Sequence, residues 1–575
     1  MCGILGFSGR ERNNKKLKES LSRLSNRGPD EQGIYENDNL FLGHTRLSII
    51  DLSLGKQPMT SNCSRYIIVF NGEIYNYKKL KSKYKYNYKT QSDTEVLLAG
   101  YINHGYEFLK DLEGMFSFCI YDKKLAKLFL ARDQFGIKPL LYYYDSKNFA
   151  FSSEIKGLLP EIIPKQSLNI TAVQDFFVRK FIPSPKTIYQ EVKKLEAGNY
   201  LEYDLNNFQL KVNSYFDINN CNSDGANLNT IKTNIQKSVN KHLIADVPVS
   251  CFLSGGIDST IIAYEAQKYL KKISTYTVGF KDSMDHQDIK YSRIAAKFIG
   301  SDHNEIIVDK IDMEEFINLI EYFDEPFADT AILANYIVSK EVSKSSKVAL
   351  SGDGADEFFY GYRAYNDIYN KSKKGWLNIN KDLMSKNIFL KNGIKQIVEH
   401  LDCDINSIYQ SNYYNMPLYC LNRIFKKDVK KIPFNGFNSC SVELLRDYDL
   451  RVNLPDYYLT KVDKVSMINS LEVRVPFIDI NIFNSLPISS DSFYDKKSVG
   501  KNILKEIYKS ELPDEILNRR KQGFIRNWRS LLVDHDFEKY VSKFITYEFV
   551  SKFELDLDFI EYCKSAKTSM TENIL

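Results

Sequence analysis

The chain is poor in the residues and patterns that would place it in several common classes. Nine cysteines are scattered over 575 residues with no Cys-x-x-Cys pair and no even framework, so neither a disulfide scaffold nor a zinc ribbon is expected. Cys119 and Cys251 lie inside apolar runs, where a small buried thiol is the ordinary reading and a reducing cytoplasm the expected setting. Seven histidines show no metal-ligand spacing. No stretch approaches ~18 continuous apolar residues and the N-terminus lacks a secretory pattern, so no membrane span is expected. Gly-x-Ser-x-Gly is absent, which removes the nucleophile elbow, and so is Gly-x4-Gly-Lys-Ser/Thr, which removes the Walker A loop. The net charge of +5 calls for no nucleic-acid or acidic-membrane partner. What remains is an ordinary globular composition, 43% hydrophobic and 26% charged, long enough for about three or four domains on length alone.

One stretch organises the rest. The apolar run Val247-Pro-Val-Ser-Cys-Phe-Leu253 reads as a buried strand and Ile261-Ile-Ala-Tyr-Glu-Ala266 as the start of a helix. Between them stands Ser254-Gly255-Gly256-Ile257-Asp258-Ser259-Thr260. Strand, glycine-rich turn and helix bring backbone N–H groups and a helix N-terminus toward a phosphate. The two glycines have no Cβ to obstruct a ligand, the hydroxyls of Ser254, Ser259 and Thr260 can donate, and Asp258 can hold magnesium. The string resembles the PP-loop of ATP pyrophosphatases, which cleave ATP between the α and β phosphates, and that resemblance implies ligation by adenylation.

The first third of the chain supplies a different chemistry. In Met1-Cys2-Gly3, a small second residue favours removal of Met1, leaving Cys2 with a thiol and an α-amine. Such an amine titrates near ~7.7–8.0 and can act as base for its own thiol. Arg27-Gly-Pro-Asp30 forms a tight turn, and Arg46 sits in the apolar run 40–50, where it needs a carboxylate partner. Asn71-Gly72 reads plainly as a hairpin turn, and functionally as an oxyanion hole. Ser92 and Glu95 have capping-box spacing, which leaves Asp93 at a helix start to meet an ammonium group. A nucleophile, a carboxylate clamp, an oxyanion hole and an amine anchor are what glutamine hydrolysis requires. The segment looks like an N-terminal-nucleophile (class II) glutamine amidotransferase domain, through Arg27–Asp30, Asn71–Asn76, Ser92–Glu95 and Leu128–Leu140. The resemblance implies stacked antiparallel sheets flanked by helices, and the short strands 115–121, 127–131 and 139–144 fit it. It also implies a glutamine site at Arg46, Leu47, Ser48, Ile49, Ile50, Asn71, Gly72, Glu73 and Asp93, with Cys2, Asn71 and Gly72 catalytic.

Past a polar linker at 219–229, a strand at 273–280, a helix at 291–298 and a strand at 305–308 alternate, which indicates a doubly wound parallel sheet. Val348-Ala-Leu-Ser351-Gly352-Asp353-Gly354-Ala355-Asp356-Glu357 repeats the strand–loop–helix pattern with carboxylates that repel unless a cation joins them. Residues 360–440 read as helical and carry no motif. With Asp324–Asp329, Tyr457–Lys464, Ser470–Phe477 and Arg519–Phe524, the second part is similar to the synthetase domain of glutamine-hydrolysing asparagine synthetases.

Nearly the whole chain carries the resemblance, in the family's own order. It implies an αββα N-terminal-nucleophile domain over 1–210 and, over 211–575, an α/β doubly wound PP-loop domain of the adenine nucleotide α hydrolase type with added helices. It implies ATP contacts at Leu253, Ser254, Gly255, Gly256, Asp258, Ser259, Val278, Ser351 and Gly352, and Mg2+ at Asp258 and Asp356. Asp353 would assist formation of an acyl adenylate, and Lys521 would stabilise charge in its transition state. Glutamine, aspartate and ATP are the expected substrates, and a homodimer is plausible for the family. Two departures stand out: Ile525-Arg526-Asn527-Trp528 where the family continues Gly-Val-Pro, and Gln287-Asp288 where it has Asp-Glu. An alternative keeps the chemistry and changes the acceptor, for example to a sugar uronate in surface-polysaccharide assembly.

Overall fold

The computed structural model describes residues 1–9, 12–163, 165–220, 227–281, 287–362, 365–366, 424–425, 442–487, 500–519, 543 and 546–556. Most of the stretch 360–440, Lys521 and the segment 525–528 lie outside the described residues.

The first part is a stack of two six-stranded sheets. One has the order β10-β8-β9-β1-β3-β2, built from β1 (Gly3–Ser8), β2 (Glu31–Glu36), β3 (Phe41–Arg46), β8 (Leu141–Tyr144), β9 (Phe149–Ser152) and β10 (Val192–Lys194). The other has the order β12-β11-β7-β6-β5-β4, from β4 (Met59–Thr60), β5 (Tyr66–Ile74), β6 (Gly114–Asp122), β7 (Lys127–Arg132), β11 (Asn199–Asp204) and β12 (Gln209–Ser214). Alternate side chains decide the layers. Ile67 and Val69, Cys119 and Tyr121, and Leu128 and Leu130 face Ile4, Leu42, Phe149 and Phe151 of the other sheet in one buried cluster. Their neighbours Ile68, Phe70, Phe116, Phe118 and Ile120 turn outward against α2 (Tyr77–Lys83) and α3 (Asp93–His104). On the far side Leu5, Phe7 and Phe41 pack on Leu17 and Leu21 of α1 (Asn14–Ser22). Helix, sheet, sheet, helix is the expected αββα order.

Two local expectations fail. Asn71-Gly72 makes no hairpin turn: both residues sit inside β5, paired with β6 from Tyr66 to Ile74. The capping box at α3 is half formed. Ser92 accepts from the Thr94 N–H, but Glu95 accepts from the N–H groups of Lys89 and Thr90 instead of returning to Ser92. Those two donors lie in the chain leading into the helix, and the carboxylate closes that turn.

After α4 (Ile170–Arg179) and α5 (Leu228–His242), the second part winds around a five-stranded sheet of order β15-β14-β13-β16-β17. Its strands are β13 (Val249–Phe252), β14 (Ser274–Phe280), β15 (Asp302–Val308), β16 (Val348–Leu350) and β17 (Glu472–Arg474), and each pairing is parallel. One face buries Cys251, Leu253 and Leu350 against α5, α6 (Ile257–Gln267) and α7 (Gln287–Ile299). The other buries Tyr276, Val278, Phe280 and Val473 against α8 (Met313–Tyr322), α9 (Ala331–Val342) and the helix Thr460–Met467. Helices on both faces of a parallel sheet are the doubly wound arrangement. No helix of the described residues is long and apolar enough to cross a membrane.

The two parts are locked by a fully buried arginine. Arg27 Nη1 and Nη2 donate to both oxygens of Asp463 at 2.7 and 3.1 Å, and Nη1 also reaches Glu154 at 3.0 Å. Its Nε donates to the Cys2 carbonyl at 3.0 Å. Removing one member of a buried, hydrogen-bonded charge cluster costs about 3–5 kcal/mol. Arg27→Met is therefore expected to lower the thermal unfolding midpoint strongly. Arg23→Ala, which breaks a half-exposed pair with Glu161, should change stability by less than about 1 kcal/mol.

Candidate active sites

The start of β1 places Cys2 at the floor of a pocket. Met1, Cys2, Arg46, Leu47, Ile49, Ile50, Gly72, Glu73 and Asp93 line it, so most of the residues expected at a glutamine site meet there. Asn71 stands immediately behind, its side-chain oxygen accepting from the Cys2 N–H at 3.0 Å and its amide nitrogen 3.4 Å from the Ser117 hydroxyl. Ser48 is not in the lining; its N–H donates to Asp30. Gly72 must be glycine: its φ is +153° and a Cβ would lie 2.1 Å from the Met115 carbonyl oxygen.

Arg46 finds its carboxylate partner within the fold. It pairs with Glu31 at 2.9 Å and donates to the carbonyls of Ile50, Asp51 and Leu52, folding the segment after β3 around its guanidinium. Asp93 is buried, accepts from the Ile74 N–H at 3.0 Å, and has its pKa held up at about 6, chiefly by burial. Burial also pushes the Cys2 thiol up, while the terminal ammonium and Arg46 pull it down.

Glu472 completes the pocket from the second part of the chain, and sequence reasoning missed it. Ser470–Phe477 carries a family resemblance, but nothing in its composition tells that a strand of one sheet reaches a pocket in another fold.

The second site lies at the C-terminal ends of β13 and β16. Its loop is held by its own side chains: the Ser254 and Ser259 hydroxyls lie 3.1 Å apart, and the Thr260 hydroxyl donates to the Gly256 carbonyl at 2.7 Å. Thr260 is buried, so its hydroxyl shapes the loop and faces no ligand. The two glycines differ. Gly255 has φ +73° and a Cβ there would lie 2.3 Å from the Tyr291 carbonyl carbon, so it is required by helix α7. Gly256 has only the Ser254 hydroxyl near, at 3.4 Å, and is the glycine with open space before it. Gly352 lets the second loop come down on the first, since a Cβ would lie 2.9 Å from the Ser259 nitrogen. Ser351 donates to Asp353 within that second loop.

Leu253 and Val278 are both buried, Leu253 with its N–H on the Tyr276 carbonyl at 2.8 Å. Asp258 and Asp356 do converge, and Lys501 joins them: its ammonium pairs with Asp258 and lies 2.8 Å from Asp356. Both carboxylates raise the Lys501 pKa above the ordinary lysine range. Nothing in the sequence around Lys501 signalled this position. From the basic stretch at 519–521, Arg519 reaches the loop, donating to the Ser254 carbonyl at 2.6 Å and pairing with Asp288.

Comparison with known proteins covers both parts of the chain. Residues 1–216 match the glutamine amidotransferase domain family, and residues 230–561 match the asparagine synthase family. The chain belongs to the asparagine synthase family. It is 32% identical over 559 residues to asparagine synthetase [glutamine-hydrolyzing] 1 of Bacillus subtilis, covering 92% of this chain and 88% of that protein. Asparagine synthetase [glutamine-hydrolyzing] 3 of the same organism is 27% identical, over 91% of this chain and 87% of its own length. Asparagine synthetase B of Escherichia coli is 31% identical over 64% of this chain and 66% of its own. The Cys2 pocket thus belongs to the amidotransferase half, and the paired glycine loops to the synthase half.

The glycines give a stability test. Gly255→Ala forces a left-handed residue into helix α7 and should destabilise by more than the ~1–2 kcal/mol of backbone strain alone. Gly256→Ala, with open space at its Cβ, should leave the thermal midpoint unchanged.

Proposed function

We propose that this member of the asparagine synthase family makes asparagine from aspartate, using glutamine as the nitrogen donor and ATP as the activator. The reading is carried by one arrangement: Cys2, Arg46, Gly72 and Asp93 line a single pocket whose end is closed by Glu472 of the synthase half.

In the amidotransferase half, Cys2, freed of Met1, attacks the amide carbon of glutamine. Asp93 holds the substrate ammonium and Gly72 offers its N–H to the developing oxyanion. Arg46 contributes its positive field while fixing the surrounding loop. Ammonia leaves, and water hydrolyses the thioester to glutamate. In the synthase half, the open backbone at Gly256 and the hydroxyls of Ser254 and Ser259 receive the phosphates. The β-carboxylate of aspartate attacks the α-phosphorus, pyrophosphate departs, and ammonia displaces AMP from the acyl adenylate. Asp353, on the loop facing the phosphates, assists that step, and Lys521 is assigned to its transition state.

Asp258 and Asp356 fit a magnesium ion, since two carboxylates already converge on one cation, Lys501. Bound there with the nucleotide, magnesium would supply positive charge to the phosphates. Ammonia is expected to cross between the halves through an internal channel, because ammonia released to water at neutral pH mostly protonates and loses its nucleophilicity.

Pyrophosphate release with Mg-ATP should depend on aspartate, and asparagine should form with either glutamine or ammonium. Cys2→Ala should keep the ammonium reaction and lose the glutamine one. Pyrophosphate release that ignores aspartate would overturn the assignment of acceptor. The Asp93 pKa of about 6 sets a further expectation. Below that pH the carboxylate protonates and loses its hold on an ammonium, so KM for glutamine should rise about tenfold per pH unit. In Asp93→Asn, KM should be high throughout and lose this pH dependence.

A further inference from the structure

Strand β17 is three residues long and lies at the edge of the parallel sheet, and its charged side chains reach into both halves. Arg474 Nη1 donates to the carbonyls of His242 and Ile244, both at 2.7 Å, and Nη2 reaches Glu73 Oε2 of the amidotransferase half at 3.2 Å. Its Nε holds Glu472 Oε1 at 2.7 Å. The other oxygen of Glu472 lies 2.9 Å from the chain's terminal ammonium, with both groups 1% exposed. Glu472 is therefore clamped from one side and presents its free edge to the N-terminus, beside Cys2.

We propose that Glu472 is a positioning residue of the glutamine-hydrolysing site, supplied by the synthase half, whose carboxylate faces the amine that Cys2 gains on loss of Met1 and favours its charged form. The inference rests on reading Cys2 as the nucleophile with its own α-amine as base. Hydrolysis of the Met1–Cys2 peptide bond consumes one water, releases methionine and leaves the amine on Cys2. That nitrogen is already held by Asn71 Oδ1 at 3.0 Å. It lies one residue beyond the nitrogen that Glu472 now contacts at 2.9 Å, so the carboxylate stays within about 6.5 Å of it. At that range, in a buried site, an opposite charge still favours ionisation.

The other charges around this point come from several elements. Glu73 on β5 is pushed toward its neutral form by burial and by Asp93 of α3, while Arg474 beside Glu73 and Arg46 beside Cys2 add positive field. Lys138, after β7, is buried against the Met1 sulfur, lies 3.9 Å from Asp463, its stronger partner, and also feels Glu472. Arg27 is engaged by Asp463 and Glu154. Glu472 and Lys138 thus act on the amine with opposite sign, and two substitutions should move it in opposite directions.

The test follows glutamine hydrolysis against pH at saturating glutamine, where Asp93 is occupied and the acid limb of kcat reports the base. Wild type, Glu472→Gln, Glu472→Asp and Lys138→Met are compared as full chains, each shown by intact mass to lack Met1. Glu472→Gln should move the acid limb to lower pH by about 1 unit, and Lys138→Met should move it up. Glu472→Asp should fall between wild type and Glu472→Gln, and it carries the test if the glutamine variant does not fold. Activity lost equally at all pH values, with the limb unmoved, would mean a purely structural role and overturn the proposal. Cys2→Ala separates the two readings. If it still hydrolyses glutamine, the nucleophile assignment fails. If it does not and the limbs stay put, only the role of Glu472 fails.

Discussion

The contact between the two halves is centred on the burial of one guanidinium. Arg27 has no exposed surface and would be intolerable there unless each face of its fork were met. Asp463 takes two of its N–H groups, Glu154 shares one, and the carbonyl of Cys2 takes Nε. The backbone that carries the nucleophile is thus fixed by the same side chain that fastens the synthase half. Lys464 extends the cluster to Glu154 and Asp324, so that positive and negative groups alternate through the buried contact.

Close backbone approach is the second constraint. The synthase site exists because β13 and β16 are neighbours whose following loops press together, and Gly352 allows the contact. The hydroxyls of the loop are partly spent on the loop itself, with Thr260 turned inward. Carboxylates 258 and 356 come from opposite loops, and Lys501 offsets their repulsion.

Period and punctuation were enough to read part of the layering. Alternating strand and helix in the second part indicated the parallel sheet, because that pattern is local, whereas the αββα stack was implied by the family resemblance and the short strands only fitted it. The PP-loop and the Cys2, Gly72 and Asp93 positions were singled out as short strings that together resemble known families, and the last three meet in one pocket. What was not legible depended on distant partners. Asn71-Gly72 has the composition of a turn, but nine paired residues of β5 and β6 outweigh it. Glu95 found donors outside its helix, and Arg46 spends its donors on the loop it organises. Lys501 and Glu472 acquire meaning only when the chain is folded around them.

The strand that carries Glu472 also touches the synthase site through its backbone: the Arg474 carbonyl accepts from the Ser351 N–H at 2.9 Å. Residues 472–474 therefore belong to two neighbourhoods at once, with side chains in one and backbone in the other. The halves are not interchangeable modules. A chimera that joined the amidotransferase half of one relative to the synthase half of another would inherit, in these three residues, a part of each, and its ancestry could not be cut cleanly at the linker.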